Sequence, residues 1–142
     1  MPPKYEDAKL ILKLYDLRRE KVMREARNWF AREFHPANAD DYIATLRSEH
    51  SAYLRMVGTF WDMASALVLH GAIDADMFNA CNGEHLFVFA KIQPLLAELR
   101  RKTNSPRLLA NLETVVMARP DAKEVLERMR ENQKQMAQAA RG

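Results

Sequence analysis

The sequence is poor in cysteine and glycine, and each shortage excludes a class of protein. Cys81 is the one cysteine among 142 residues, which excludes an internal disulfide and a zinc site built from several cysteines. The four glycines are too few and too scattered to form a glycine-rich phosphate-binding loop. No HExxH motif occurs either. The sequence therefore contains no motif that names a reaction, and we expect no cofactor.

Long apolar runs and charge of one sign are also missing. The longest mostly apolar stretch, residues 56–69, contains Asp62 and is shorter than the ~20 residues that a bilayer requires. The N-terminal residues precede no apolar run of the kind found in a signal peptide. We therefore expect a cytoplasmic protein without a membrane partner. The net charge of +3 comes from 22 basic and 19 acidic residues that are interleaved, whereas nucleic-acid binders usually segregate their positive charge.

Helix-forming residues, by contrast, are abundant. Ala, Leu, Met, Glu, Lys and Arg dominate, and no segment alternates apolar and polar residues over the length of a strand. Pro36, Gly71, Gly83 and Pro120 mark breaks between helical segments, and Pro94 is expected to kink one. We predict an all-α protein, a single-domain bundle of five to seven helices over residues 1–142. The predicted helices cover residues 6–34, 39–48, 51–70, 75–80, 84–102, 106–118 and 121–139, and whether the second and third are continuous stays open.

Two helices carry more apolar surface than one bundle is expected to cover. The stripe on the first helix is wide, and it comprises Leu10, Ile11, Leu14, Tyr15, Val22, Ala26, Trp29, Phe30 and Phe34. The last helix adds a thin stripe that requires a docking surface. Surplus apolar area marks interaction sites. We therefore predict a non-enzymatic binding or assembly module that self-associates as a homodimer through apolar helix faces. A different protein that binds the same faces is the alternative partner.

The basic helix faces provide an alternative function. Seven residues form the predicted patch for an anionic partner, namely Arg18, Arg19, Arg24, Arg100, Arg101, Lys102 and Arg107. Such a patch is typical of a nucleic-acid-associated regulatory protein, whose affinity falls steeply with salt. Solvated helix surface is the competing interpretation, and it is the one that the interleaved charges favour. Nucleic acid is therefore not the favoured partner.

Two charges interrupt apolar runs and suggest a second alternative, a small-ligand or metal site. Asp62 lies within the apolar third helix, and Lys91 follows the run from Phe87 to Ala90. Because an unpaired buried charge is costly, we expect each to meet an opposite charge or to face solvent. An ion pair between Asp62 and Lys91, or between Asp62 and an arginine of the first helix, would supply the opposite charge.

Cys81 and His85 have the i,i+4 spacing of a metal or thiol site, although residues 82–83 interrupt the helix between them.

Three segments in the central half of the chain form one pattern: MVGTFWDMA (56–64), GAIDADMF (71–78), and KIQPLL (91–96) with Leu99 and Arg100 behind it. An apolar helix ends at a glycine, an Ile-Asp turn follows, and a second helix ends in arginine. This pattern resembles a family of small helical bacterial or phage proteins, an uncharacterised domain of unknown function. The resemblance implies an all-helical fold and a bacterial or phage origin, and it supplies no catalytic residues.

Overall fold

A computed structural model describes residues 4–141 of the chain. This part is 77% helical and contains eight helices and no strand. The helices are α1 (Tyr5–Arg18), α2 (Lys21–Arg32), α3 (Ala39–Leu46), α4 (Ser51–Leu69), α5 (Ala75–Cys81), α6 (Glu84–Lys102), α7 (Ala110–Met117) and α8 (Ala122–Arg141). The prediction of an all-α fold is confirmed, and the predicted number of five to seven helices is wrong. Residues 1–3 and Gly142 of the predicted domain lie outside the described residues.

The additional helix comes from a break in the predicted helix 6–34. Glu20 leaves the helical conformation (φ −58°, ψ 142°), and its carboxylate accepts a hydrogen bond from the backbone N–H of Met23. This bond satisfies one of the N–H groups that a helix start leaves unpaired, so Glu20 acts as the N-cap of α2. Across the break, Arg27 Nη1 donates to the carbonyl of Arg18 at 3.3 Å. The side chains of Glu20 and Arg27 thus stabilise a break that no proline or glycine marks.

The start of α7 also differs from its prediction. Leu109 has left-handed backbone geometry (φ 56°), and α7 begins at Ala110 rather than near residue 106. No local side chain caps it; instead Asp62 of α4 accepts from the Leu112 N–H at 3.0 Å and from the Asn111 amide at 3.2 Å. A carboxylate at a helix N-terminus satisfies an unpaired N–H and opposes the helix dipole. The long-range contact with α4 therefore helps to define where α7 starts.

The core forms around α4 and α6. Helix α4 packs mainly on α2 and α7, while α6 packs mainly on α8 and α3. Trp61, Phe30, Phe78 and Phe89 are the largest side chains at the centre, and each is almost completely buried. Among the helices of residues 4–141, none combines the length and apolar character needed to cross a membrane. Burial of these aromatic groups, together with the aliphatic side chains of the core, drives the helices to assemble.

Helix α8 docks on α6 through polar as well as apolar contacts. Pro94 lies within α6 and has no N–H, so it cannot satisfy the carbonyl of Ala90. Arg130 of α8 donates to this carbonyl at 3.2 Å and to the side-chain oxygen of Gln93 at 3.0 Å. Gln133 adds a bond to the Phe87 carbonyl at 2.9 Å. Proline in α6 thereby creates an acceptor that specifies where α8 lies.

Candidate functional site

A half-buried carboxylate, Glu84, joins three separate helices at the first turn of α6. Arg27 of α2 donates to it from Nε at 2.9–3.0 Å and from Nη2 at 2.8 Å. The indole N–H of Trp61 in α4 donates at 3.0 Å, and Arg18 at the end of α1 lies 3.4 Å away. We call these four residues the Glu84 cluster. The bidentate contact with Arg27 is the strong form of an arginine–carboxylate pair.

The cluster is stabilised by its position as well as by its bonds. Glu84 occupies the N-terminus of α6, where a negative charge is favoured by the helix dipole and where Gly83 supplies no side-chain cap. The guanidinium carbon of Arg18 lies 5.0 Å from the centre of the Trp61 ring, which is a cation–π contact. Within residues 4–141, Arg18 Nε has no hydrogen-bond partner. Trp61 thus compensates in part for the incomplete solvation of Arg18.

The protonation state of Glu84 follows from these neighbours. Burial raises the pKa of this carboxyl, but the hydrogen bonds from Arg27 and Trp61 and the charges of Arg27 and Arg18 outweigh it, so the net pKa is lowered. The group is therefore a carboxylate near neutral pH, with donors on both oxygens. Such a group is suited to anchoring helices rather than to donating a proton. The sequence analysis did not select Glu84 or Arg27 for this role.

His85 follows Glu84 and is completely buried. Its ring packs 4.8 Å from that of Phe78 and 5.6 Å from that of Trp61, and Nε2 lies 3.4 Å from the Asn79 amide oxygen. Nδ1 has no partner among the described residues. Burial lowers the pKa of His85 to about 4, and the charges of Arg119 and Arg18 act in the same direction. His85 is consequently a neutral core residue near pH 7.

The predicted charge pair between Asp62 and Lys91 does not form in the described structure. Asp62 caps α7, as described above, and among the described residues it bonds no arginine of α1 or α2, the two helices that form the predicted helix 6–34. Lys91 is 8% exposed, and its ammonium group donates to the carbonyls of Phe30 at 2.6 Å and Phe34 at 2.8 Å. Neutral groups thus replace the opposite charges that we expected: N–H donors at the start of α7 for Asp62, and carbonyl acceptors at and after the end of α2 for Lys91.

The other predicted ligand site is not assembled either. Cys81 is exposed at the end of α5, whereas His85 lies in the core, so the two side chains occupy different environments. Among residues 4–141, no group of three or more His, Cys, Asp or Glu side chains is arranged to hold a metal ion. The four candidates for a small-ligand or metal site, Asp62, Cys81, His85 and Lys91, are thus a helix cap, an exposed thiol, a core residue and a buried cation.

The seven predicted patch residues have diverse surroundings. Four have carboxylate partners: Arg18 with Glu84, Arg100 with Glu113, Arg101 with Glu98, and Lys102 with Asp40. The other three, Arg19, Arg24 and Arg107, are exposed. Pairing with carboxylates reduces the positive potential that a nucleic acid would sense.

Helix α1 exposes several large apolar side chains. The helix buries Ile11 and Leu14 against its neighbours, α2 and α5. Another face exposes Tyr5, Leu12 and Tyr15, whose exposed fractions are 72%, 67% and 56%. With the half-buried Ala8, these residues follow the 3-4-3 spacing of a coiled-coil seam. We call Tyr5, Ala8, Leu12 and Tyr15 the α1 seam.

Comparison with family models gives the relationship of the chain to other proteins. The model described as domain of unknown function (DUF4760) matches residues 4–118. The chain belongs to the DUF4760 family. Comparison with curated proteins and with solved structures gave no match. The DUF4760 match contains the Glu84 cluster and the α1 seam and ends at the residue after α7, so α8 lies beyond it.

We expect Glu84→Gln to lower the free energy of unfolding by on the order of 3 kcal/mol, because it leaves Arg18 and Arg27 largely buried without an anion. Urea unfolding measures this change. The matched control is Glu98→Gln, which breaks an exposed pair with Arg101 and is expected to cost about 1 kcal/mol or less. Equal losses in the two variants would contradict the anchoring role of Glu84.

We expect acid to destabilise the protein through His85. Its folded pKa of about 4 lies below the ordinary value of 6.5, so the unfolded chain binds more protons between these two pH values. The free energy of unfolding therefore falls as the pH drops from 6.5 to 4, by about 3 kcal/mol in total from this group. The His85→Leu variant should lack this pH-dependent component when its free energy of unfolding is compared with that of the parent across the same pH range. His70→Gln, at an exposed histidine, is the control and should retain it.

Proposed function

We propose that the protein is a non-enzymatic assembly module that forms a homodimer through the α1 seam. The observation that supports this proposal is the exposure of Tyr5, Leu12 and Tyr15 in one row along a helix. The next position in the same spacing is Arg19, which is also exposed. Large apolar side chains in such a row are typical of a surface that a second helix covers. The symmetric partner of a helix in a homodimer is the same helix of the second copy.

The charges beside the seam favour one arrangement of the two helices. In an antiparallel pair that places Leu12 opposite Tyr15 of the second copy, Lys9 lies beside Asp16 of that copy. Two-fold symmetry repeats the contact, giving two attractive pairs. Shifting the antiparallel helices by one heptad places Lys9 beside Lys9 of the second copy, or Asp16 beside Asp16 of the second copy. A parallel pair places Lys4 beside Lys9 of the second copy. Each of these alternatives brings like charges together.

Side-chain size is consistent with the same arrangement. Ala8 lies opposite Arg19 of the second copy, and Leu12 lies opposite Tyr15, so each layer combines a smaller side chain with a larger one. The aliphatic part of arginine can cover apolar surface while its charge stays in water. The two tyrosines alone offer on the order of 250 Å² of the ~800 Å² that each partner contributes to a standard interface. We therefore infer a dimer of modest affinity that depends on concentration.

We expect Leu12→Glu to abolish the dimer, because it places two charges at the centre of the apolar contact. Sedimentation velocity over a concentration series measures the dimer fraction. The control is Met63→Glu, which alters a comparably exposed apolar residue on α4 and should leave the dimer intact. A parent chain that stays monomeric at every concentration would refute the proposal.

Charge exchange tests the arrangement separately. Lys9→Glu converts both attractive pairs into repulsive ones and should weaken the dimer roughly tenfold. Combining Lys9→Asp with Asp16→Lys should restore affinity, whereas Lys13→Glu on the polar face should change it little. Weakening by Lys13→Glu to the same degree would indicate a general charge effect and contradict this register.

A further inference from the structure

A cleft lies where α6 and α8 meet. Its walls come from α6, from α8 and from the segment that follows α2, and its volume is about 210 Å³. The polar residues that line it are His35, Lys91, Arg130, Gln133 and Lys134. Among residues 4–141, no Asp or Glu lines it. Three side chains with positive charge thus share a small space with a histidine and an amide.

The cations of this cleft lack ion-pair partners in the described structure. No Asp or Glu oxygen of the described residues lies within 4 Å of Lys91, Arg130 or Lys134. Elsewhere in the protein, by contrast, the partly buried Arg18, Arg27 and Arg100 each contact a carboxylate. The cleft is therefore a place where positive charge accumulates without a carboxylate partner among the described residues.

The cations are nevertheless held in position by neutral groups. Lys91 donates to the carbonyls of Phe30 and Phe34, and Arg130 donates to the carbonyl of Ala90, which Pro94 leaves unpaired. These bonds use two of the three ammonium protons of Lys91. Within the part of the chain that the structure describes, the Nε and Nη2 protons of Arg130 have no hydrogen-bond acceptor. Both side chains therefore combine a fixed position with unused donors.

Burial makes this charge expensive. Lys91 is 8% exposed, and burial lowers the pKa of its ammonium group to about 8. The carbonyl dipoles and the rings of Phe30 and Phe87, whose centres lie 4.8 and 5.1 Å from Nζ, offset only part of the cost of burying the Lys91 charge. An anion in the cleft would supply the missing opposite charge, and charge-assisted hydrogen bonds are the strong ones.

We propose that the cleft between α6 and α8 binds a small oxyanion, a phosphate or a carboxylate, through Lys91, Arg130 and Lys134. A volume of about 210 Å³ corresponds to roughly seven water molecules of ~30 Å³ each. Inorganic phosphate or a short carboxylic acid fits this space. Pro36, Pro94 and Ala137 add apolar wall, which suits a short hydrocarbon chain. Binding would link α8, outside the DUF4760 match, to α6 within it.

The test is calorimetric titration of the full chain with inorganic phosphate and, separately, with succinate. Binding of either anion supports the proposal, and the anion that binds more tightly assigns the ligand class. Sodium chloride at matched ionic strength controls for general screening. Absence of binding by both anions at millimolar concentration, or an equal response to chloride, would overturn the proposal.

Variants then locate the site. Lys134→Gln alters an exposed residue, so folding should be unaffected, and we expect about tenfold weaker binding. Adding Arg130→Gln should abolish binding. The matched control, Lys123→Gln, removes an exposed lysine from the same helix and should leave affinity unchanged. Equal effects of Lys134→Gln and Lys123→Gln would overturn the assignment to this cleft.

Discussion

The contact between Glu84 and its three donors is the interaction on which the arrangement of the N-terminal half depends. One carboxylate receives hydrogen bonds from α1, α2 and α4 at the point where α6 begins. Removing any partner leaves a charged or polar group away from water. Loss of this contact therefore costs more free energy than loss of a surface ion pair. The helices must therefore meet in one relative position for all four groups to be satisfied.

The position of the α1 seam follows from this contact. Arg18 reaches Glu84 from the last turn of α1, while Asp7 accepts from the backbone N–H of Asp74 at 2.8 Å near the first turn. With both ends attached and with Ile11 and Leu14 buried, the helix has little freedom to rotate about its axis. Tyr5, Leu12 and Tyr15 consequently point away from the core. The proposed dimer surface is thus a consequence of how the Glu84 cluster holds α1.

Helical spacing and chain breaks were sufficient to predict the all-α class and most helix boundaries. They failed at Glu20 and Asp62, because each cap is made by a side chain that single-sequence patterns do not mark as a helix boundary. Glu20 is a good helix former by propensity, and Asp62 caps a helix about fifty residues away in sequence. The spacing of residues within one helix does not reveal a contact between segments about fifty residues apart in sequence.

The same limit explains why the candidate site was predicted only in part. Asp62 and Lys91 were recognised as charges that need partners, but their partners are backbone groups exposed at helix ends. Glu84 was missed because its partners lie 23, 57 and 66 residues away and have no shared spacing. Exposure of the α1 seam depends on which face α1 buries, so the wide stripe alone did not identify Leu12 as part of it.

A double-mutant cycle between Arg27 and Glu84 tests the central claim most directly. Urea unfolding of the parent, Arg27→Met, Glu84→Gln and the double variant gives the coupling energy, which excludes effects that each change has alone. The account predicts a coupling of about 2 kcal/mol or more, since the pair is bidentate and largely buried. A coupling below about 0.5 kcal/mol would show that the two residues act independently, and it would contradict the account.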